Sequence, residues 1–585
     1  MINFGDATFL VGANNVGKST VLDAIKKLLS SDKRMEDKDF NSIVDDETGE
    51  TKTACNIVVL EAEFRNLPAQ ARTWRGFKGR TFSYAPANDD DSGISIHYRK
   101  TYELGKDVVI ELKTKKRTLN PNYEQCSTPQ DFIDAGIDAD IINEVFKDID
   151  LTKRIANAKR TLLEDIDDIW DLGDEEEWFV NPGGIPQVVA SKLPRFLYIP
   201  ADTACKEVNG DTSGVMGQML SELFADVRSQ SENFKQAQSY LVQLEKELDP
   251  TDQDSEFGKM LAELNDILAN VFPDTKLHAT ADLSDPEKVL KPAFTVEMSS
   301  NVRTSVDRQG SGMIRAAAFG ILRYRQKWMA QKKCDEQRAM IIAFEEPELY
   351  LHPCAANQMR NTIYELSDGF SQIVASTHSP FMIDLSRKPR QILNSFSINE
   401  DGLRVIPFSV TDAFKELLDE DKNYVKMLQR IDDQIARIFF AKYVVIIEGD
   451  TEAVVIGESI KRLPQERYNH LICDFEIIKA RGKAAIIPLV KYLTAMGIEP
   501  IVVHDRDEAT PGAVKFNAPI LNAVGQHGRV VQMQECIEDE LEYSAPTSEK
   551  PYKAYEHTLS WGDNWMDIPE KWRVKMKEIF GDYVE

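Results

Sequence analysis

The stretch Gly12-Ala13-Asn14-Asn15-Val16-Gly17-Lys18-Ser19 decides how this chain is read. It fits the pattern G-x-x-x-x-G-K-[ST] in full. It also lies between an apolar run from Thr8 to Gly12 and a segment, Lys18 to Leu29, whose Val21, Leu22, Ile25, Leu28 and Leu29 recur at helical spacing. A strand, a glycine-rich turn and a helix in that order make a phosphate cradle. Loop amides and the helix N-terminus surround the anion, Lys18 bridges the β- and γ-oxygens, and the Ser19 hydroxyl is a ligand for Mg²⁺. Asn14, Asn15 and Thr20 complete the residues expected around the nucleotide.

The remaining chemistry lies far downstream. Met340-Ile-Ile-Ala-Phe-Glu345-Glu346-Pro347 is an apolar run ending in two acids, the form of a Walker B strand. Glu345 is expected in the Mg²⁺ shell and Glu346 beside the attacking water. Ser376-Thr-His378-Ser-Pro follows the apolar run at Ile373, which places His378 within reach of a γ-phosphate. Two further strings have the same build: Tyr443-Val-Val-Ile-Ile-Glu448-Gly-Asp-Thr-Glu452, and Ile501-Val-Val-His504-Asp505-Arg506-Asp507. Each alone is compatible with an ordinary polar strand end. Together, on strands of one parallel sheet, they gather carboxylates that repel one another unless divalent cations neutralise them.

Bulk properties narrow the setting. With 585 residues and 42% hydrophobic content, at least two and more plausibly three domains are expected. The seven cysteines are odd in number, scattered and never spaced C-x-x-C, which argues for reduced thiols over disulfides or a zinc site. No apolar run of about 18 residues and no basic-then-apolar N-terminus is present, so a cytoplasmic location without membrane contact is expected. The net charge of −26 confines any DNA contact to a local basic groove. Candidates are Lys113-Thr-Lys-Lys-Arg117 and Lys153-Arg154 with Lys159-Arg160, each equally readable as a solvated face. The acidic stretch Glu164 to Glu177 reads as an exposed loop or helix end.

The intervening pattern is mixed. Asn56 to Phe64, Ile94 to Tyr102 and Asp107 to Lys113 alternate like antiparallel strands, Asp131 to Ile169 reads as helical and charged, and Arg195 to Pro200 as a buried strand returning to the core. Ser213 to Phe272 has the spacing of long helices, either a self-packed hairpin or a dimerisation arm, broken at Asp249 to Ser255. Thr411 to Phe440 is a helical, charged connector.

The P-loop, Walker B and His378 strings resemble the ABC-type ATPases of the SMC, Rad50 and RecF kind, whose two ATPase halves are separated by a long insertion. That resemblance implies a signature loop completing the ATP site of a facing subunit. Arg308-Gln-Gly310-Ser311-Gly312-Met-Ile-Arg315 takes that place, with Ser311 and Gly312 against the nucleotide, although it departs from Leu-Ser-Gly-Gly. The two acidic strings resemble the Toprim fold of topoisomerases, primases and certain nucleases. The whole order resembles the OLD (overcoming lysogenization defect) family, an ABC-type ATPase joined to a C-terminal Toprim nuclease, akin to the Gabija nuclease subunit and retron-associated OLD nucleases. The specific motifs span about a tenth of the chain as a rough count.

The implied fold class is α/β multidomain: an SMC-like P-loop ATPase with a helical insertion, followed by a Toprim α/β domain. The implied boundaries are 1–130 and 291–410 for the two ATPase parts, 131–290 for the insertion with its returning strand near 195–200, 411–440 for the linker and 441–585 for the Toprim domain. Carried over residue by residue, Glu448, Glu452, Asp505, Asp507 and Glu538 become metal ligands for Mg²⁺ or Mn²⁺. Glu448, Asp505 and Asp507 also become acid–base groups, and Lys550 stabilises charge at the scissile phosphate. Asp539 is the other acid at that position. ATP, DNA, a second copy of the chain or a larger homo-oligomer, and by analogy a defence-system protein or reverse-transcriptase complex are the implied cofactor and partners. Family members open with a strand ending near Asn-Phe-Arg, whereas this chain reaches Gly12 soon after Met1-Ile-Asn-Phe-Gly-Asp, which implies a trimmed first strand or a start upstream. Other readings stay open: a topoisomerase- or primase-like enzyme, or an ATP-gated DNA clamp that binds metal without cutting.

Overall fold

The computed structural model describes the chain apart from residues 45–50, 87–90, 181–188, most of 202–308, 333–338, 368–370, 432–434 and scattered single positions and pairs. It forms two compact units, one of Met1–Lys18, Leu197–Asp335 and Ile342–Glu585, the other of Ser19–Phe196 with Glu336–Ile341.

The first unit holds two larger sheets and, among the described residues, a two-stranded ribbon of Glu297–Ser299 with Arg303–Ser305. In the first sheet the order is Gly402–Ser409, Gln391–Asn399, Ala7–Gly12, Ser371–Ser376, Met340–Glu345, Arg195–Ile199. Ala7–Gly12 pairs in parallel with Ser371–Ser376 on one side and with Gln391–Asn399 on the other. Ala7, Phe9, Leu10 and Val11 are wholly buried, as are Ile373, Val374 and Ala375, which is why these strands read as continuous apolar runs without alternation. Arg195–Ile199 returns to this sheet as a strand, but at its edge and only partly buried, through Leu197 and Ile199, rather than as the buried strand expected. The hairpin of Gln391–Asn399 with Gly402–Ser409 has no counterpart in the sequence reading.

The connector contains the helices Val410–Glu416 and Asp419–Ile431 and a 3-10 turn at Ile435–Phe440, whose Ile435, Ile438 and Phe439 are buried. Phe439 meets Phe408 at 5.4 Å between ring centroids. The second sheet has the order Phe475–Lys479, Tyr443–Ile447, Ile501–His504, Arg529–Gln532, parallel throughout. The first strand in sequence lies inside, so chain order reverses between it and Ile501–His504. Its core gathers Val445, Ile447, Val455, Val503, Trp572 and Phe580, with the Trp572 indole donating to Ser459 Oγ at 2.7 Å. The helix Lys483–Ala495 leans on the connector, with Lys491 paired to Asp421 at 2.7 Å and Tyr492 edge-on to Phe414.

The second unit is built on an antiparallel sheet in the order Ile57–Phe64, Ile94–Glu103, Val109–Leu119, Trp170–Val180. Leu28, Phe77, Ile96, Tyr98 and Leu112 form its core under the helix Lys18–Leu29. Three expectations need correction. The acidic stretch is neither a loop nor a helix end over its second half: Trp170–Val180 is an edge strand, paired with the basic strand Val109–Leu119. Lys113 pairs with Glu176 and Lys116 with Glu175 at 2.7 Å, and these opposite charges support pairing that strand propensity alone would not favour. The first candidate basic patch is thereby neutralised by its own neighbour. Asp131 to Ile169 holds only the short helices Pro129–Asp134 and Ala139–Val145; the rest of its described residues are turns and 3-10 pieces around Phe132, Ile142, Phe146 and Ile166. The long helices expected over Ser213 to Phe272, the break at Asp249 to Ser255 and Arg308 lie almost wholly outside the described residues. Among those described, no helix is long and apolar enough to cross a membrane.

Lys100 is a buried cation of this unit, 2% exposed on the strand Ile94–Glu103. Its ammonium donates to the carbonyls of Lys27 at 3.0 Å and Ser30 at 2.6 Å, capping the last turn of the helix, where free carbonyls carry partial negative charge. Burial pulls its pKa down to about 8. The unfolded chain therefore holds a proton that the folded chain has released between about pH 8 and the ordinary lysine value. Stability rises with pH across that window. Relative to Lys100→Met, the parent should gain up to about 3 kcal/mol between pH 8 and 10.5, read from paired denaturation curves; parallel curves would show that Lys100 titrates normally.

Candidate functional site

The cradle around the P-loop forms at the C-terminal ends of parallel strands, where open α/β sheets collect ligands. Gly12 sits at φ 142°, and a Cβ there would lie 2.4 Å from the Phe396 carbonyl oxygen, so only glycine allows the turn. Asn14 and Asn15 are exposed on the loop, Asn15 at φ 62°, while Ser19 and Thr20 are exposed in the first turn of the helix Lys18–Leu29. Lys18 is buried and folds over its own loop, donating to the carbonyls of Gly12 at 3.1 Å and Ala13 at 2.6 Å. Burial lowers its pKa, and the charge of Glu346 opposes that shift.

Glu346 stands at φ 42°, an uncommon backbone for a bulky residue, with its N–H donating to the Ser376 carbonyl at 2.9 Å. Its carboxylate is 3.4 Å from His378 Nε2. Burial and then the Lys18 charge lower the His378 pKa and favour the neutral imidazole. Lys18, Glu346 and His378, read from three separate strings, are thus electrostatic neighbours. Glu345 Oε2 accepts from the Tyr198 hydroxyl at 2.8 Å and the Ala201 N–H at 3.1 Å, so the returning strand orients it.

Two residues of this site carry roles that sequence reasoning missed. Glu348, half-buried and with its pKa raised by that burial, accepts from the Thr377 hydroxyl at 2.6 Å and the His378 N–H at 3.2 Å, holding the histidine's backbone. Its signal was the acid directly after Pro347, the third in the string. Arg315 lies in the helix Ser311–Lys332 that Ser311 opens, and it is 1% exposed. Its guanidinium donates to the carbonyls of Glu346 (2.8 Å), Leu349 (3.1 Å), Pro200 (3.0 Å), Glu345 (3.4 Å) and Ala201. One buried fork therefore ties the helix after Gly312 to the turn that carries both Walker B acids.

The acidic site forms where chain order reverses in the second sheet. Glu448 follows the strand Tyr443–Ile447 and Asp505 follows Ile501–His504. Glu452, 5% exposed, accepts from the Gly449 N–H at 3.0 Å and so caps the helix Asp450–Ile460. Glu538 is fully buried in the short helix Ile537–Glu540, with the Lys550 ammonium 3.5 Å from one oxygen. Asp539 is exposed, and its carboxylate accepts from the Cys536 thiol at 3.6 Å. Burial first and the surrounding carboxylates second push Asp505 up to about 8 and Glu448 up to about 7. Burial also raises Glu452, with Glu538 contributing. Burial acts to lower Lys550, but Glu538 and Asp505 outweigh it and hold its pKa up.

The orphaned atoms are informative. Glu448 Oε2, Asp505 Oδ1 and Glu538 Oε2 are buried without a hydrogen-bond partner, while Glu538 Oε1 has only the Lys550 ammonium at 3.5 Å, an arrangement that costs free energy unless a cation or proton arrives. All are hard carboxylate oxygens, the donor type that Mg²⁺ and Mn²⁺ take. Among the described residues, no three His, Cys, Asp or Glu are arranged so as to hold a metal as they stand. The donor set fits a hard divalent ion. Lys483, which no motif pointed to, donates to the Asp507 carboxylate at 2.9 Å. Its signal was the turn Arg481-Gly482-Lys483 after a strand.

Residues 1–383 match the AAA ATPase domain family AAA_15, and residues 439–507 match the Toprim domain of overcoming lysogenization defect protein-like sequences. The Old nuclease of Escherichia phage P2 is 24% identical over 377 residues, covering 61% of this chain and 60% of that protein. The OLD nuclease of Thermus scotoductus is 26% identical over 365 residues, covering 58% of this chain and 66% of that protein. The chain thus spans less than two thirds of the length of these curated relatives. Among solved structures, an Smc head bound to the C-winged helix domain of ScpA aligns at a TM-score of 0.33 and 14% identity, over 71% of this chain and 94% of that one. That likeness is too loose to bear on the function. With an AAA ATPase domain over more than half its length and an OLD-like Toprim domain behind it, the chain belongs to the OLD family.

Proposed function

We propose that the chain is an ATP-controlled, divalent-metal-dependent DNA endonuclease that nicks phosphodiesters at its Toprim site. The observation that carries this reading is the set of buried carboxylate oxygens Glu448 Oε2, Asp505 Oδ1 and Glu538 Oε2 without hydrogen-bond partners, with the Lys550 ammonium on the other oxygen of Glu538. Glu448, Asp505 and Glu538 would hold Mg²⁺ or Mn²⁺, with Glu452 and Asp507 beside them; the bound ion supplies Lewis-acid polarisation of the phosphate and a water acidic enough to attack. Lys550 sets a positive charge where the pentavalent phosphorus gathers negative charge. A non-cutting clamp gives no reason for a lysine held against a buried glutamate.

In the ATPase part, Lys18 and the loop amides of Gly12 to Ser19 bind the nucleotide phosphates, and Ser19 and Glu345 hold its Mg²⁺. Glu346 orients the attacking water and His378 contacts the γ-phosphate as a neutral imidazole. Ser311 and Gly312 complete the ATP site of a second copy, so turnover needs a homodimer or larger homo-oligomer. A role in anti-phage defence rests on family kinship alone.

Supercoiled plasmid with Mn²⁺ tests the proposal. Asp505→Asn should lower nicking at least about a hundredfold, Lys18→Ala should remove the response to ATP, and Glu346→Gln should slow ATP hydrolysis by about a hundredfold or more without preventing ATP binding. Undiminished cutting by Asp505→Asn would sink the nuclease assignment.

A pH dependence follows from the raised carboxyl groups. Asp505 near 8 and Glu448 near 7 hold protons that the unfolded chain has already released above about pH 4. Without metal, their contribution to stability therefore falls as pH rises from about 4 to 8. Metal binding displaces the same protons, so affinity should fall below pH 8 by up to about tenfold per pH unit for each proton displaced. The rise in melting temperature on adding Mn²⁺ should be larger at pH 8.5 than at pH 6, and Glu448→Gln should flatten the difference. A Mn²⁺ effect independent of pH would place the ion elsewhere.

A further inference from the structure

The loop Asp505-Arg506-Asp507 has to present its first carboxylate to the cluster, yet Asp507 sits at φ 53°, in a region that non-glycine residues adopt at a cost. Two groups hold it there. From one side, the Arg506 and Asp507 N–H groups both donate to the Glu535 carbonyl at 3.0 Å. From the other, the Lys483 ammonium donates to the Asp505 carbonyl at 2.6 Å, the Arg506 carbonyl at 3.3 Å and the Asp507 Oδ2 at 2.9 Å. All three of its donors are used. Lys483 is 5% exposed and opens the helix Lys483–Ala495 through Gly482, at φ 121°. The Gly482 N–H donates to the Glu448 carbonyl at 2.9 Å. One corner of chain thus grips the backbone at both strand ends that carry the acidic site.

We propose that Lys483 is a positioning residue of the nuclease site: it holds the Asp505-Arg506-Asp507 loop and takes Asp507 as its own partner, leaving Asp505 as the carboxylate that this loop offers to the metal. The inference rests on the nuclease reading given above. Asp507 spends one oxygen on a buried ammonium and is the poorer ligand, whereas Asp505 Oδ1 is buried with no hydrogen-bond partner. The ammonium is also, with that of Lys550, a fixed positive charge among the carboxylates.

Mn²⁺ titration of the nucleotide-free full-length chain by electron paramagnetic resonance separates the roles. Asp505→Asn should remove tight binding. Lys483→Met and Asp507→Asn should each weaken it by about tenfold, as loss of outer-shell support does, and the double variant should be no weaker than either single one. Melting temperatures of the same four proteins without metal should show the same non-additivity. Asp507→Asn losing Mn²⁺ as completely as Asp505→Asn, with Lys483→Met binding normally, would overturn the proposal. So would additive losses in melting temperature. If Lys483→Met does not fold, Lys483→Arg should keep affinity within about threefold, and a larger loss overturns the charge-holding role. A parent chain that binds no Mn²⁺ defeats the metal-dependent nuclease reading instead, and the melting-temperature cycle still decides the Lys483–Asp507 pairing.

Discussion

Parallel pairing of Ala7–Gly12 between Ser371–Ser376 and Gln391–Asn399 is the constraint on which the nucleotide cradle depends. A parallel pair cannot close through a tight turn, so the chain must travel away and come back. Here it does so through the antiparallel unit and the long stretch that follows. On return, the ends of Met340–Glu345 and Ser371–Ser376 deliver Glu346 and His378 beside Lys18, and the Glu346 N–H bond to Ser376 closes the join. Arg315 then reinforces it from the helix Ser311–Lys332 by donating to several backbone carbonyls at once, as the five N–H groups of a guanidinium allow.

The second sheet repeats the same logic on a smaller scale. Chain order reverses beside its first strand, which sets Glu448 and Asp505 at the ends of two neighbouring strands, and the helices that follow bring in Glu452, Glu538 and Lys550. Burying this much negative charge is unfavourable, as the raised pKa values of Glu448 and Asp505 register. The arrangement persists because the hydrophobic core around Trp572, Val503 and Ile447 over-determines the backbone and Lys483 supplies an internal counter-charge. The helix that begins at Lys483 also carries Lys491 and Tyr492, which contact the connector at Asp421 and Phe414. A single rigid element therefore touches both the acidic loop and the segment leading from the ATPase sheet.

Legibility followed burial and periodicity. The apolar strands ending in functional acids were readable because strands buried on both faces have no alternative pattern, and the P-loop because phosphate binding tolerates few sequences. The edge strand Trp170–Val180 was not readable: seven of its exposed positions run consecutively and most of them are polar or acidic, so its strand character comes from the lysines opposite and not from its own residues. Glu348 was hidden for a related reason, since an acid beside two others gives no sign of which one turns inward.

Sequence alone determined the two chemistries, their order along the chain and the identity of Lys18, Glu346, His378, Glu448 and Asp505 as candidates, because each sits in a local pattern whose geometry is dictated within a few residues. Tertiary structure alone decided which distant groups support them. Tyr198 on Glu345, Arg315 under the Walker B turn and Lys483 on Asp507 act through contacts between segments far apart in the chain. Burial, which raises Asp505 and lowers Lys100, is likewise a property of the packed chain. No local pattern encodes such pairings, since a lysine at a helix start looks the same whether it meets water or a buried carboxylate.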